Sequence, residues 1–294
     1  MIGVWRGFVN ARAQYNRLNE MLEKVPEPTE KMSLPAPAGA IRGESATMAP
    51  PGERKPTVKA ASFDIRPGEQ VGIIGPSAAG KSTLARGMLG IWPTAAGTIR
   101  IDGAEASSYS REELGPHIGY LPQDVELFDG SINENIARFG EVDAERVVQA
   151  AKEAGVHELI LQLPEGYDTI IGQTGGVLSG GQRQRVGLAR ALYGEPSIVL
   201  LDEPNSNLDD QGEKALLNAI GLLRKRSCTT VVISHRRGVL SNVDKLMVMN
   251  DGAIVAFGPR DEVLQRLQAI QAQGPTPLSE DGRPGNQPTA INKG

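Results

Sequence analysis

The chain lacks several features that define common classes of protein. It has a single cysteine, Cys228, so no internal disulfide can form, as expected for a reducing compartment. Aromatic residues make up only 4% of the 294 residues, and the net charge is −4. Neither an aromatic base-stacking surface nor a basic field is indicated. We therefore expect no nucleic-acid partner.

Long apolar runs are also missing. The longest, such as residues 198–201 and 231–233, are far shorter than the stretch of about 20 residues that a membrane helix needs. The chain does not begin with a basic segment followed by a long apolar core, which is the pattern of a secretory signal. These 294 residues are therefore expected neither to span a membrane nor to carry a signal peptide.

The composition divides the chain into zones. Residues 1–25 are predicted to form an amphipathic helix, because apolar residues recur there at spacings of three and four. This helix packs either on its own domain or beside an element that the chain does not contain. Residues 26–44 are predicted to be a linker, since prolines are dense there and as far as residue 57. Residues 45–271 are predicted to form the main domain, and residues 272–294 a disordered tail rich in Pro, Gly, Gln and Asn.

Strand-like and helical patterns alternate through the main domain. Short apolar runs at 71–74, 118–121, 198–201 and 230–233 indicate buried strands, and residues 131–163 have a broken helical pattern. Strands without polar alternation are typical of a parallel sheet that helices cover on both faces. The predicted fold class is therefore α/β with a mostly parallel sheet.

A candidate phosphate-binding loop follows the strand at 71–74. It matches the pattern G-x-x-x-x-G-K-[ST] between a strand and a helix. Its glycines let backbone N–H groups turn towards phosphate oxygens, and the helix N-terminus adds partial positive charge. Lys81 is predicted to reach the β- and γ-phosphates, and Ser82 to ligate Mg²⁺. The predicted nucleotide contacts of this segment are Gly75, Pro76, Ser77, Ala78, Ala79, Gly80, Lys81, Ser82 and Thr83.

Two acidic residues end the strand at 198–201. Asp202 and Glu203 are expected at the carboxyl edge of the sheet, where open α/β folds bind ligands. Asp202 can hold Mg²⁺, and Glu203 is placed to accept a proton from an attacking water. The alternative is an acidic strand end that caps a helix, which the phosphate-binding loop makes less attractive.

Gln123 and His235 give weaker signals, because each simply follows a predicted strand. Gln123 is a candidate contact to the metal or to water, and His235 a candidate contact to the γ-phosphate. Taken singly, each is better explained as an ordinary loop or structural residue.

A second glycine-rich helix start lies at Ser179, Gly180 and Gly181. Ser179 is a good N-cap, and Gln182 stands three residues later as its capping-box partner. A helix start of this kind binds phosphate, although a plain capped helix explains the spacing equally well. One nucleotide needs only one such cradle in its own chain, so a second would have a use if it closed over the nucleotide of a partner copy; the residues alone do not decide between this use and a plain cap.

Together these segments resemble the nucleotide-binding domain of ABC transporters over about residues 45–271. The matching motifs are the Walker A loop at 75–82, the Q-loop Gln123, the signature 178–182, the Walker B end at Asp202 and Glu203, the D-loop 206–209 and the H-loop His235. The resemblance implies a P-loop NTPase core with a mostly parallel sheet, an antiparallel β subdomain and a helical signature subdomain.

The same resemblance implies how the site works. Two copies would stack head to tail around ATP and Mg²⁺, with Ser179, Gly180, Gly181 and Gln182 of one copy facing Lys81 of the other. Glu203 would be the general base, Lys81, Gln123 and His235 would act with it, and Ser82, Gln123 and Asp202 would hold the metal.

Finer details resemble the exporters of type I protein secretion in Gram-negative bacteria. They are found at 121–130, 134–138, 202–209 and 233–236. The resemblance implies a transmembrane permease domain, a periplasmic adaptor, an outer-membrane channel and a place on the cytoplasmic face of the inner membrane. Residues 1–25 would then be the cytoplasmic end of the last membrane helix, and the chain a fragment or a separately encoded subunit.

The chain departs from this pattern in two places. No aromatic residue stands near Pro50 to stack on adenine, so we expect modest adenine selectivity. Gln173 replaces the glutamate that exporters usually carry before the signature, and we expect this to weaken coupling between domains. The rival readings are a non-transport ABC ATPase acting on DNA or ribosomes, and a regulatory nucleotide-binding module without turnover.

Overall fold

The computed structural model describes residues 2–23, 34–172 and 178–272. The strands in these ranges are β1 (Ile41–Met48), β2 (Val58–Ile65), β3 (Gln70–Ile74), β4 (Ala96–Ile101), β5 (Ala104–Glu105), β6 (Ile118–Leu121), β7 (Gly130–Ser131), β8 (Ile170–Ile171), β9 (Ile198–Asp202), β10 (Thr229–Ile233), β11 (Lys245–Asn250) and β12 (Ala253–Pro259). The α-helices are α1 (Ile2–Glu23), α2 (Lys81–Met88), α3 (Arg111–Leu114), α4 (Ile132–Ile136), α5 (Ala144–Glu153), α6 (His157–Leu161), α7 (Gly180–Leu192), α8 (Asp210–Lys225), α9 (Arg237–Leu240) and α10 (Arg260–Ala272). Short 3₁₀ turns at Ala106–Ser108, Gly115–His117 and Gly166–Asp168 connect some of them.

A six-stranded sheet forms the centre of the fold. Its order is β12-β11-β3-β10-β9-β6, with five parallel strands and β12 antiparallel at one edge. Every residue of β9 and β10 is buried, as expected for strands covered on both faces. Because β10 lies between β3 and β9, the loops that follow these three strands meet at one edge of the sheet.

A smaller antiparallel sheet has the order β2-β1-β4-β5. In its centre, buried Ile41 pairs with Ile65 on one side and with Ile101 on the other. The carboxylate of Asp102 accepts hydrogen bonds from the backbone N–H of Gly39 (3.1 Å) and of Ala40 (2.8 Å). The folded domain therefore begins before the predicted boundary at residue 45, and the end of the predicted linker over 26–44 belongs to β1.

A helical layer covers the β6 side of the central sheet. Buried side chains of α4, α5, α6 and α7 form one cluster with those of β6 and β9, including Ile136, Val147, Ile160 and Val186. The N-cap Ser131 of α4 forms a capping box with Glu134. The predicted class is confirmed: a mostly parallel α/β core with an antiparallel sheet and a helical part.

The described side chains of α1, at residues 4–22, are all exposed. Its apolar stripe includes Trp5 and Phe8, whose ring centroids are 6.0 Å apart. Of the helices that the structure describes, none is long and apolar enough to cross a membrane. At the other end, α10 ends at Ala272, and the predicted tail beyond it lies outside the described residues.

Candidate active site

The segment between β3 and α2 has the geometry of a phosphate-binding loop. Gly75 has φ 153°, and a Cβ there would lie 2.2 Å from the carbonyl oxygen of Met249. Gly80 has φ 91°, and a Cβ there would lie 2.4 Å from the carbonyl oxygen of Thr57. Contacts this short exclude any larger residue, so neighbouring backbone encloses the loop at both glycines.

Lys81 begins α2 and is buried beneath this loop. Its Nζ donates hydrogen bonds to the carbonyl oxygens of Gly75 (2.8 Å) and Pro76 (2.9 Å). Its neighbour Thr83 accepts a hydrogen bond from the Thr57 hydroxyl at 3.1 Å. The loop thus folds around an ammonium group at a helix N-terminus, which is an arrangement that favours bound anions.

The outer part of the loop faces solvent. Pro76, Ser77 and Ala78 are exposed, whereas Ala79 is buried and its backbone N–H donates to the carbonyl oxygen of Pro76 at 3.3 Å. Ala78 has φ 62°, a left-handed conformation that turns the loop back on itself. Residues 75–83 thus form one turn that leads from β3 into the first residues of α2.

Asp202 is the last residue of β9 and is almost completely buried. Burial raises the pKa of its carboxyl above 3.8, and Glu203 adds to the rise, while the Ser82 hydroxyl and the cations Arg86 and Lys81 oppose it. Apart from the Ser82 hydroxyl, neither carboxylate oxygen has a hydrogen-bond partner among the described residues. Buried carboxylates without partners are rare, and oxygen ligands beside a hydroxyl are what Mg²⁺ prefers, so Asp202 and Ser82 fit a Mg²⁺ ion.

Glu203 follows with a left-handed backbone, at φ 48°. This conformation costs on the order of 1–3 kcal/mol in a residue other than glycine and often marks a functional site. The backbone N–H of Glu203 donates to the carbonyl oxygen of Ile233 at 2.9 Å, which ties the turn to β10. A carboxylate oxygen of Glu203 lies 3.9 Å from His235 Nε2. The acid and the histidine predicted from separate strands are therefore neighbours.

Two residues that sequence reasoning missed lie behind this pair. The Ser234 hydroxyl donates to the side-chain oxygen of Asn205 at 3.2 Å, and both side chains are buried. The backbone N–H of Arg236 donates to the Ser234 hydroxyl at 3.1 Å. This contact links the turn after Glu203 to the loop that holds His235. The sequence feature that could have indicated this contact is that a small polar residue follows each of the apolar strands β9 and β10.

Gln123 stands two residues after β6 and is exposed. Because β6 pairs with β9 in parallel, with Leu121 opposite Leu201, Gln123 emerges at the same edge as Asp202. Its side chain has no hydrogen bond within the described part of the chain that would fix its direction. The structure therefore places Gln123 at the same edge as Asp202, and no described contact joins its side chain to the other predicted site residues.

The second cradle starts α7. Ser179 and Gln182 form the predicted capping box: the Ser179 N–H donates to Gln182 Oε1 (2.7 Å), and the Gln182 N–H donates to Ser179 Oγ (3.3 Å). A Cβ on Gly181 would lie 2.8 Å from the carbonyl oxygen of Asn207, whereas Gly180 has room. Among the described residues, no hydrogen bond joins this cradle to the phosphate-binding loop. Gln173, upstream of the signature, lies outside the described residues.

The cradle is linked instead to the turn after β9. Arg185 of α7 is buried and forms an ion pair with Asp209 at 2.5 Å. The same carboxylate caps α8 by accepting the Gly212 N–H at 2.8 Å. The hydrogen bond from the Gly212 N–H, followed by the charge of Arg185 and its hydrogen bond, holds the pKa of Asp209 below its usual value. The segment 206–209 therefore contacts both the acid turn and the signature helix.

Comparisons with known proteins agree with this geometry. A model of the ABC transporter family matches residues 58–206. The type I secretion system ATP-binding protein PrsD of Rhizobium meliloti (strain 1021) is 48% identical over 97% of this chain and 50% of its own length. The ATP-dependent lipid A-core flippase of Saccharophagus degradans is 38% identical over 84% of this chain and 42% of its own length.

One solved structure extends the comparison to three dimensions. The structure of a bacterial Atm1-family ABC exporter with ATP bound matches with a TM-score of 0.79 at 30% sequence identity, covering 93% of this chain and 48% of that one. The chain belongs to the ABC transporter family, and the resemblance to a type I secretion ATP-binding protein is confirmed. It spans about half the length of the curated relatives it matches.

Proposed function

We propose that this chain is the ATP-hydrolysing motor of an exporter of the type I secretion class. The observation that carries the proposal is Asp202, a buried carboxylate at the sheet edge that has no hydrogen-bond partner other than the Ser82 hydroxyl among the described residues. It lies within electrostatic reach of Lys81 and next to Ser82, Glu203 and the neighbouring His235. Such a set is suited to holding a charged phosphate chain beside an activated water.

In this proposal, ATP binds with its phosphates against the loop from Gly75 to Thr83. Lys81 exchanges its carbonyl partners for the β- and γ-phosphates, and backbone N–H groups at the start of α2 donate to phosphate oxygens. Ser82 and Asp202, with Gln123 nearby, are the residues that would hold Mg²⁺. That ion, when bound, offsets the negative charge that develops on the phosphates.

The hydrolytic step is assigned to the acid turn. Glu203 orients the attacking water and accepts its proton, and His235 contacts the γ-phosphate. The left-handed backbone of Glu203 and the hydrogen bond from its N–H to β10 fix the main chain that carries the carboxylate before the substrate arrives. Positioning and charge stabilisation supply most of the rate enhancement in phosphoryl transfer.

The active unit is proposed to contain two copies of the chain. The cradle residues Ser179, Gly180, Gly181 and Gln182 of one copy would cover the ATP bound by Lys81 of the other. The exposed position of Ser179 supports this arrangement, as does the presence of one set of each motif per chain. The similarity to an exporter with ATP bound supports it further.

The biological setting is proposed from the relatives. PrsD is a type I secretion protein, and we infer the same role here: export of a protein or peptide across the bacterial inner membrane. The motor would work on the cytoplasmic face with a transmembrane permease domain, a periplasmic adaptor and an outer-membrane channel. Because a lipid A-core flippase is also a relative, lipid export is the second candidate.

The first test is the rate of Mg-ATP hydrolysis per chain over a range of protein concentrations. A specific rate that rises with concentration supports active sites assembled between two copies. A flat, non-zero rate would require either a stable dimer or a site complete in one chain. Absence of turnover at every concentration, with ATP still bound, would contradict the motor and favour the regulatory module.

The second test replaces Glu203 with Gln. We expect turnover to fall by about 10²–10⁴-fold, which is the usual contribution of a general base, with ATP binding retained. The matched control is Glu105→Gln, since Glu105 is an exposed glutamate of the antiparallel sheet. Equal rates for the two variants would overturn the assignment of Glu203.

A further inference from the structure

Arg138, just after α4, directs its guanidinium group into a set of backbone carbonyls. All five of its N–H groups are used, and each acceptor is a main-chain oxygen. Nε donates to Arg190 (3.0 Å), Nη1 to Gly115 (2.8 Å) and Ile118 (2.9 Å), and Nη2 to Ala191 (3.3 Å) and Tyr193 (3.1 Å). The arginine therefore joins two separate pieces of backbone, 115–118 and 190–193, to its own segment.

These acceptors carry no formal charge. Burial lowers the pKa of Arg138 to about 10, and the nearby cation Arg190 adds to the lowering. The group still remains protonated at neutral pH. What balances its charge is the C-terminal end of α7, where the last carbonyls of a helix lack partners and bear partial negative charge. Three of the five acceptors, at residues 190, 191 and 193, belong to that end.

The remaining acceptors fix α7 against the central sheet. Ile118 is the first residue of β6, and Gly115 begins the 3₁₀ turn before it. The helix end and the strand already touch, because a Cβ on Gly119 would lie 2.1 Å from the carbonyl oxygen of Ala191. The guanidinium group of Arg138 thus closes the junction between the end of α7 and the start of β6.

The backbone at this point is strained. Arg138 and Phe139 both adopt left-handed conformations, with φ 59° and 58°. Two such residues in succession are disfavoured when neither is glycine. The turn is held by the Phe139 N–H, which donates to the carbonyl oxygen of Glu134 at 2.9 Å. Strain of this kind persists only where the surrounding contacts determine it.

We propose that Arg138 is a positioning residue for the nucleotide site, acting through α7. By fixing the C-terminal end of this helix to β6, it sets the position of the Ser179 cradle at the opposite end. A helix of 13 residues is a rod about 20 Å long, so a change at one end is transmitted to the other. The functional part of this inference rests on the proposed shared ATP site.

The test compares Arg138→Met with the unchanged full chain in two measurements. In hydrogen–deuterium exchange, we expect exchange over residues 179–192 to rise about tenfold or more, with β3 and α2 unchanged. In Mg-ATP hydrolysis, we expect kcat to fall tenfold or more while the ATP affinity of the single chain stays within about twofold, because none of the described hydrogen-bond partners of Arg138 lies in the loop before Lys81.

Two further variants make the result specific. Arg146→Met removes an exposed arginine of α5 paired with Asp143, and should leave both measurements unchanged. Arg138→Lys keeps the charge but has three N–H donors on one nitrogen in place of five on three, and should recover part of the lost protection and turnover. If the methionine variant does not fold, the lysine variant can be compared with the unchanged chain in the same two measurements.

The outcomes separate this inference from the proposed function. Exchange over α7 that stays at the original level would overturn the positioning role, whatever the rates of hydrolysis. Loss of ATP affinity in step with turnover would mean general destabilisation and would overturn it as well. If the unchanged chain hydrolyses no ATP, the proposed function fails, and the exchange data alone decide whether Arg138 fixes α7.

Discussion

The two segments that we propose to bind phosphate are built in different ways. The loop before Lys81 is enclosed, since backbone oxygens lie close to Gly75 and Gly80, and the lysine itself is buried. The cradle at Ser179 is exposed, and its hydrogen bonds are made within its own helix start. The loop before Lys81 therefore makes its contacts with other parts of its own chain, whereas the cradle at Ser179 is exposed to solvent.

This difference indicates how the work is divided. A loop with an internal ammonium group and an adjacent buried carboxylate can bind Mg-ATP within a single chain. A capped helix start lacks those charges and adds only oriented N–H groups, which are useful once phosphate is already present. Hydrolysis is then expected to require two copies, and binding only one.

The largest expected effect comes from separating the two halves of the site. Lys81→Ala removes the ammonium group, and Ser179→Asp keeps the helix cap while placing a negative charge towards phosphate. Each variant alone should lose at least about 100-fold in turnover, as when a preorganised charge-stabilising group is lost. An equal mixture should regain about a quarter of the original rate, since random pairing of two copies restores one site in half of the dimers.

The mixing experiment has its own control. ATP binding to the Ser179→Asp variant should match that of the unchanged chain, because no hydrogen bond between described residues joins the cradle to the loop before Lys81. If mixtures stay as inactive as the separate variants, the shared site is wrong and the two segments do not meet across copies.

A smaller effect is expected at Asp202, where binding and stability oppose each other. Asp202→Asn should lower the turnover rate about tenfold or more, and should lower the affinity for Mg²⁺ by a similar factor, since a charged ligand is lost. Without Mg²⁺ and ATP the variant should be more stable by about 0.5–2 kcal/mol, because strained functional groups are kept at a cost in stability. Thermal unfolding in the presence of a chelator measures this difference.

The pH dependence gives the sign of that effect. The folded-state pKa of Asp202 lies above the unfolded value of 3.8, so folding favours the protonated form. The unfavourable contribution of the carboxylate is fully present above the raised pKa and is gone below 3.8. The stability gained by Asp202→Asn should therefore shrink as the pH falls towards 3.8. If the difference in unfolding free energy between the variant and the unchanged chain instead grew as the pH fell, burial of the Asp202 carboxylate would not be its cause.

Much of the loop before Lys81 and of the cradle at Ser179 could be predicted from the sequence, because residues close together in the chain determine both. The strand before Gly75 is an apolar run, and the Ser179 cap is fixed by the spacing to Gln182. The start of β1 at Ile41 was not predicted, since the surrounding prolines resemble a linker and the strand is held by distant partners. The contact between Asn205 and Ser234 and the carbonyls around Arg138 are equally non-local.

The two glycines of the cradle provide a matched pair with opposite expectations. Gly181→Ala would bring a Cβ to 2.8 Å from the carbonyl oxygen of Asn207, so it should lower the free energy of unfolding by about 1–3 kcal/mol. At Gly180 the nearest atom is 3.8 Å away, and Gly180→Ala should change that free energy by less than about 0.5 kcal/mol. Equal effects in denaturant unfolding would show that the segment at Asn207 does not support the cradle.

The smallest expected effect concerns the nucleotide base. No aromatic residue occurs in the sequence between Tyr15 and Phe63, and the loop after β1 turns at Pro50, whose carbonyl accepts the Glu53 N–H at 3.0 Å. Stacking on an aromatic side chain is worth about 1–3 kcal/mol per base, so its absence removes a source of base preference.

We therefore expect the affinities for ATP and GTP to differ by less than about tenfold, which is 1.4 kcal/mol. Pro50→Tyr adds a ring while keeping the backbone acceptor of the turn, and should strengthen ATP binding by several fold. Equilibrium titration of both nucleotides against both chains measures these ratios. A strong preference of the unchanged chain for ATP would contradict this expectation. It would mean that backbone or polar groups near the loop after β1 form hydrogen bonds with adenine, so that this half of the site selects the base as well as binding the phosphates.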